Sequence, residues 1–226
     1  MLRKFLNKRV SYPDLLSVDD FYAPINTILD SRFAQLGFIR PRQGAWVRED
    51  CLSARPMFEL WHYKGAVSGT VWGFALTYVP HLNNSCTKLS WHRTVKSARL
   101  DVFPFDEFEQ IQVITRFSTP QDHAAAVERV LGVALDRAKE FFEEFQSTDD
   151  LLPLFERLRS YNGDGLGYWN YSNLPVAHAF TLRVNGHYAE GKSILDEFVQ
   201  RMKISGPTLA DLLNRFDRAT ASSALL

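Results

Sequence analysis

The stretch Lys88-Leu89-Ser90-Trp91-His92-Arg93-Thr94-Val95-Lys96-Ser97-Ala98-Arg99 holds the densest polar chemistry in the chain. Four cationic side chains and His92 interleave there with Trp91. Cations neutralise phosphates and an indole stacks on a base, so Trp91, His92, Arg93, Lys96 and Arg99 make a candidate contact for nucleic acid or another partner. Arg40 and Arg42 would join it if their loop lies alongside. The plainer alternative is a solvated basic loop, balanced by acidic stretches such as Asp106-Glu107-Phe108-Glu109. A second concentration is Gly163-Asp164-Gly165-Leu166-Gly167 followed by Tyr168-Trp169-Asn170-Tyr171. A dinucleotide fingerprint needs a strand before it and a helix after, whereas a helix precedes this loop and aromatics follow it. It also lacks the Lys-Ser/Thr of a phosphate loop and the acidic positions of a calcium loop. What remains is a turn between helical lobes, or a partner-binding loop offering Tyr168, Trp169 and Tyr171.

Other residue types that do chemistry form no recognisable pattern. The histidines are His62, His81, His92, His123, His178 and His187, and none is spaced as a ligand pair on one helical face. His81, Cys86 and His92 fall close together but match no common zinc module. No metal or cofactor is therefore expected. No serine sits in G-x-S-x-G; Ser68 and Ser90 lie in turn-like settings with no oriented base to name. Cys51 and Cys86 read as ordinary, partly buried thiols.

Composition bounds the class. Two cysteines in 226 residues make no disulfide framework, which predicts a reducing, cytoplasmic compartment. The N-terminus has charge without the apolar stretch of a secretory signal, and no run approaches a membrane span, so no membrane partner is expected. With 26 basic against 26 acidic residues, any nucleic-acid binding would need a local patch. An apolar share of 46% supports a sizeable core, and the 13% aromatic content would fill it or line an interface.

These residues need elements to position them. Residues 1–17 read as a basic arm. Phe21, Ile25, Ile28, Leu29, Phe33 and Leu36 give one helical stripe from Asp19 onward, ended by Gly37. Period-two alternation then predicts strands at 45–50, 56–63 and 69–79, with further ones at 98–103 and 110–117. Small residues on one face of the third (Gly73, Ala75) imply something packed close there, most simply a helix. Short connections make the sheet antiparallel. A long helix is expected over 120–146, started by Thr119-Pro120 with Ser118 and Gln121 at capping-box spacing. Others are expected over 150–160, 175–184, 187–203 and 207–221. The pattern Ala179…Gly186-His187-Tyr188-Ala189-Glu190 resembles one tetratricopeptide-type hairpin, read here simply as paired helices. The expected class is α+β: an antiparallel sheet of about five strands against an N-terminal and a long central helix. An arm (1–17), an α+β domain (18–160) and a helical C-terminal lobe (161–226) follow, the boundary at 161 being soft and a single domain over 18–226 the alternative.

Leu36-Gly37-Phe38, Arg40-Pro41-Arg42, Trp46-Val47-Arg48, the paired strands and Trp91-His92-Arg93…Arg99 together resemble the bacterial domain-of-unknown-function family numbered 4304, over residues 21–102. The resemblance implies a helix packed on an antiparallel sheet and supplies no activity. The leading expectation is a non-enzymatic bacterial binding protein whose partner is another protein. The alternatives are a hydrolase-like enzyme with its site between sheet and helical lobe (His62, Glu59 and His92 as candidates) and a weak nucleic-acid binder through Arg93, Lys96 and Arg99.

Overall fold

A computed structural model describes residues 16–50, 53–63, 67–83, 85–106, 113–115, 119–161, 167–170 and 173–220. The arm 1–15, Cys51, residues 107–112, Ser118, the 162–166 loop and Tyr171 therefore lie outside the described residues.

The architecture is α+β. Helix α1 (Val18–Ala34) begins where the Ser17 hydroxyl accepts the Asp20 N–H, and the chain leaves it through Gly37 at φ +76°. Strands β1 (Phe38–Arg42), β2 (Ala45–Arg48), β3 (Ala54–Tyr63) and β4 (Val67–Leu76) follow as an antiparallel meander. A separate hairpin comes next, β5 (Pro80–Leu82) with β6 (Leu89–Trp91). The three-residue β7 (Val113–Thr115) returns to pair with β4, giving the order β1-β2-β3-β4-β7. Helix α2 (Pro120–Glu143) starts on Thr119, whose hydroxyl accepts the Asp122 N–H; α3 (Leu151–Ser160), α4 (Leu174–Val184), α5 (Tyr188–Met202) and α6 (Gly206–Asp217) complete the chain.

The register explains the core. Trp46 pairs with Phe58 and Phe58 with Trp72, so alternation puts these three aromatics in one row across the sheet. Phe33 of α1 packs on that row, 5.3 Å from Phe58 and 6.0 Å from Trp46. The neighbouring Phe74 meets Phe141, Phe142 and Phe145 at the C-terminal end of α2. The opposite face carries a small cluster, Ala45, Val47, Met57, Ala75 and Ala98.

Two expectations about the sheet need correction. No helix lies close against Gly73; a Cβ there would stand 2.1 Å from the Val102 carbonyl oxygen, so the crossing 101–103 backbone takes that space. Nor is 98–103 a strand. Asp101 N–H bonds to the Phe74 carbonyl and Phe74 N–H to the Val102 carbonyl, which makes one isolated bridge.

The helical half is anchored on α4, whose residues from Leu174 to Leu182 are all buried. Helix α5 lies against it through Gly191, where a Cβ would come within 2.6 Å of the Ala179 carbonyl. One buried cluster runs from Phe21 through the sheet face to Phe180 and Phe216. No helix among the described residues is long and apolar enough to cross a membrane.

Candidate functional site

The β5–β6 hairpin stands out from the sheet and meets the helical half on one side. Its loop is built by Asn83, whose Oδ1 accepts the N–H groups of Thr87 and Lys88 and whose amide donates to Ser85 and Thr87. Thr208 of α6 donates to the Thr87 carbonyl, and the Leu82 N–H points to Asn173 at the start of α4. Beyond β6, Thr94 and Ser97 cap one 3-10 turn reciprocally, each side chain holding the other's N–H.

β6 divides the cationic residues between two recesses. Trp91 and Arg93 line a cleft of about 610 Å³ with Ser53, Thr77, Tyr78 and the end of α6: Asn214, Arg215, Arg218, Ala219 and Thr220. The Arg93 guanidinium lies 3.6 Å from the centre of the Trp91 ring and that of Arg215 lies 4.8 Å from it. Arg215 is also held bidentately by Asp211, at 2.8 and 2.7 Å, which keeps that carboxyl below its usual range. No acidic side chain lines the cleft among the described residues. At its floor the buried Tyr78 hydroxyl donates to Thr181, which donates in turn to the Ala177 carbonyl; burial pushes the phenol well above its usual range.

His92, Lys96 and Arg99 line the second recess, about 570 Å³, with Arg42, Glu59, Trp61, Ser97 and Leu100. Arg42 does join this site: it ion-pairs with Glu59 and donates to the Ala98 carbonyl at 2.8 Å. Arg40 instead turns to Asp30 of α1, at 3.0 Å. Asp106, expected to balance the basic segment, pairs with Arg157 of α3 at 2.8 Å. Behind His92 lies His81, ring centres 4.3 Å apart, and behind that the buried Asp101. Asp101 accepts the Leu76 N–H and the Asn173 amide. His81 Nε2 sits 2.9 Å from Asp101 Oδ1, off the line of a hydrogen bond. Although His81 and His92 come together, no three His, Cys, Asp or Glu among the described residues converge on a metal position. Cys86 is a buried thiol pushed up by burial.

The aromatic loop is not the open surface its composition suggests. Tyr168 is 2% exposed, and its hydroxyl is 2.9 Å from His178 Nδ1. A buried phenol needs that partner, and the 3-10 turn Tyr168–Asn170 delivers it into the packing of α3 and α4. Trp169 is half-buried under the Arg201 guanidinium, 4.4 Å from the ring centre. Tyr171 and the His62 side chain lie outside the described residues, and Glu59 is engaged by Arg42 and by the Trp61 indole N–H.

Two features escaped the sequence reading: Arg215 and Arg218, which reach the cleft from more than 120 residues away, and the contact of Ser90 Oγ with His92 Nε2 at 3.1 Å. Ser90 and His92, two apart, satisfy strand spacing, a signal hidden because the segment resembles a turn. Comparison with family models, curated proteins and solved structures returns no match, and so bears neither for nor against the resemblance over 21–102.

Proposed function

We propose that the protein is a binding module that takes an acidic segment of a partner protein into the cleft of Trp91, Arg93, Arg215 and Arg218. One observation carries this reading: a cleft of about 610 Å³ lined by three arginines and, among the described residues, by no carboxylate, with only Arg215 paired, to Asp211 behind it, and with two of the guanidinium groups held over one indole. Stacking on the ring restricts the exposed Arg93 guanidinium while leaving its edge N–H groups to grip a carboxylate, whereas Arg215, its edge engaged by Asp211, braces the other side of the indole. A protein ligand is favoured over nucleic acid because Trp91 already carries two cations and so offers a base little stacking surface. Each charge-assisted hydrogen bond gained there contributes about 1.5–3 kcal/mol.

The test is fluorescence anisotropy with a glutamate-rich peptide and a single-stranded oligonucleotide of equal charge, across salt. The peptide should bind tighter at every salt concentration and weaken as salt rises from about 0.05 to about 0.3 M. Tighter binding of the oligonucleotide would transfer the face to nucleic acid; binding of neither would end the proposal.

A further inference from the structure

The other side of β6 carries an arrangement that the binding reading does not use. Ser90 Oγ lies 3.1 Å from His92 Nε2, and His92 Nδ1 lies 2.9 Å from the Ser97 carbonyl oxygen. That carbonyl can only accept, so the imidazole proton sits on Nδ1 and the lone pair on Nε2 faces the serine hydroxyl. Among the described residues that hydroxyl also reaches the His81 carbonyl, at 3.5 Å, a weaker contact. The orienting carbonyl is itself fixed. The Thr94–Ser97 cap sets its turn, and Arg42 grips the next carbonyl, that of Ala98. His81 packs edge-on against the imidazole, backed by the buried Asp101. Burial, His81 and Arg99 lower the His92 pKa, which keeps the ring in its basic form at neutral pH. Ser90 is exposed, and His92 lines the recess rimmed by Lys96 and Arg99.

We infer that Ser90 and His92 form a nucleophile–base pair for acyl transfer, acting on an ester whose anionic group is held by Lys96 and Arg99. As Ser90 Oγ bonds to the ester carbonyl carbon, its proton passes to His92 Nε2. The bond to the leaving oxygen then breaks, and that oxygen takes the proton, releasing an alcohol. Water attacks the acyl-Ser90 ester, gives its proton to His92 Nε2, and a carboxylic acid leaves while the proton returns to Ser90 Oγ. The Ser97 carbonyl, His81 and Asp101 act as positioning groups. This inference is independent of the arginine cleft, since Trp91 and Arg93 line one recess and His92 the other.

The experiment treats the intact protein with a fluorophosphonate probe and maps the labelled peptide by mass spectrometry, alongside hydrolysis of p-nitrophenyl succinate and the neutral p-nitrophenyl butyrate. Ser90 should label selectively, S90A should not label, and H92Q should label at least about a hundredfold more slowly. K96E/R99E should lose the preference for the succinate ester, and its labelling profile should move to higher pH, because Arg99 helps to lower the His92 pKa. Labelling rate in the unaltered protein should climb with pH as the imidazole loses its proton, a readout that stands even if H92Q folds poorly. Labelling of Ser90 no faster than other exposed serines, or a pH profile without the imidazole step, would overturn the inference.

Discussion

The ring of His178 is stacked on Phe155 at 4.8 Å, is fully buried, and meets the Tyr168 hydroxyl at its Nδ1. Burial, reinforced by Arg159, lowers its pKa from 6.5 to about 3. The unfolded chain therefore binds the proton between those values while the folded protein does not. The stability this group contributes is fully present above pH 6.5 and is lost as pH falls through the window toward 3. Urea denaturation should show about 2 kcal/mol less stability at pH 5 than at pH 7 from this site, and His178→Gln should flatten that slope. An unchanged slope in the variant would show that some other group is responsible. Tyr168 shows how far composition reaches at this scale. A glycine-aromatic run is legible as a loop with large rings, but whether a ring faces out depends on a partner such as His178, which only tertiary packing supplies.

At the scale of elements, β4 was the clearest to read, because Trp72, Phe74 and Leu76 alternate with Gly73 and Ala75 over its length. The need for small residues was legible too; the identity of the neighbour was not, since a backbone crossing and a helix impose the same demand. Gly73→Ala should destabilise the protein by at least about 2 kcal/mol, as overpacking does, whereas Gly132→Ala, where nothing lies within 4 Å, should be neutral or stabilising. Comparable melts for the two variants would contradict the crossing at Val102. β1 hid behind Pro41, which reads as a turn residue but is tolerated here on the sheet's edge strand, where the register shifts between Ile39 and Arg42. β5 and β6 have three residues each, too few for alternation to stand out, and with them went the two residues now paired as Ser90 and His92.

For the molecule as a whole, contacts cross the soft boundary at residue 161. Tyr78 bonds to Thr181, Asp101 to Asn173 and the Thr87 carbonyl to Thr208, and one apolar cluster spans both halves. Calorimetry should show a single transition, and Phe180→Ala in the helical half should lower it as a unit, at a cost of about 3–5 kcal/mol. Two separable transitions would restore the lobes as independent domains. The balanced charge, 26 against 26, concealed the local asymmetry, because Arg215 and Arg218 come from the last helix and its end while carboxylates such as Asp106 pair elsewhere. The central claim, that this asymmetry is a docking site for an acidic segment, is tested most directly by charge reversal. A glutamate-rich and a lysine-rich peptide would each be titrated into the unaltered protein and into R93E/R218E, neither substitution touching the buried core. The unaltered protein should prefer the acidic peptide, and the variant should lose at least about tenfold of that affinity and favour the basic one. Undiminished binding of the acidic peptide by the variant would contradict the account.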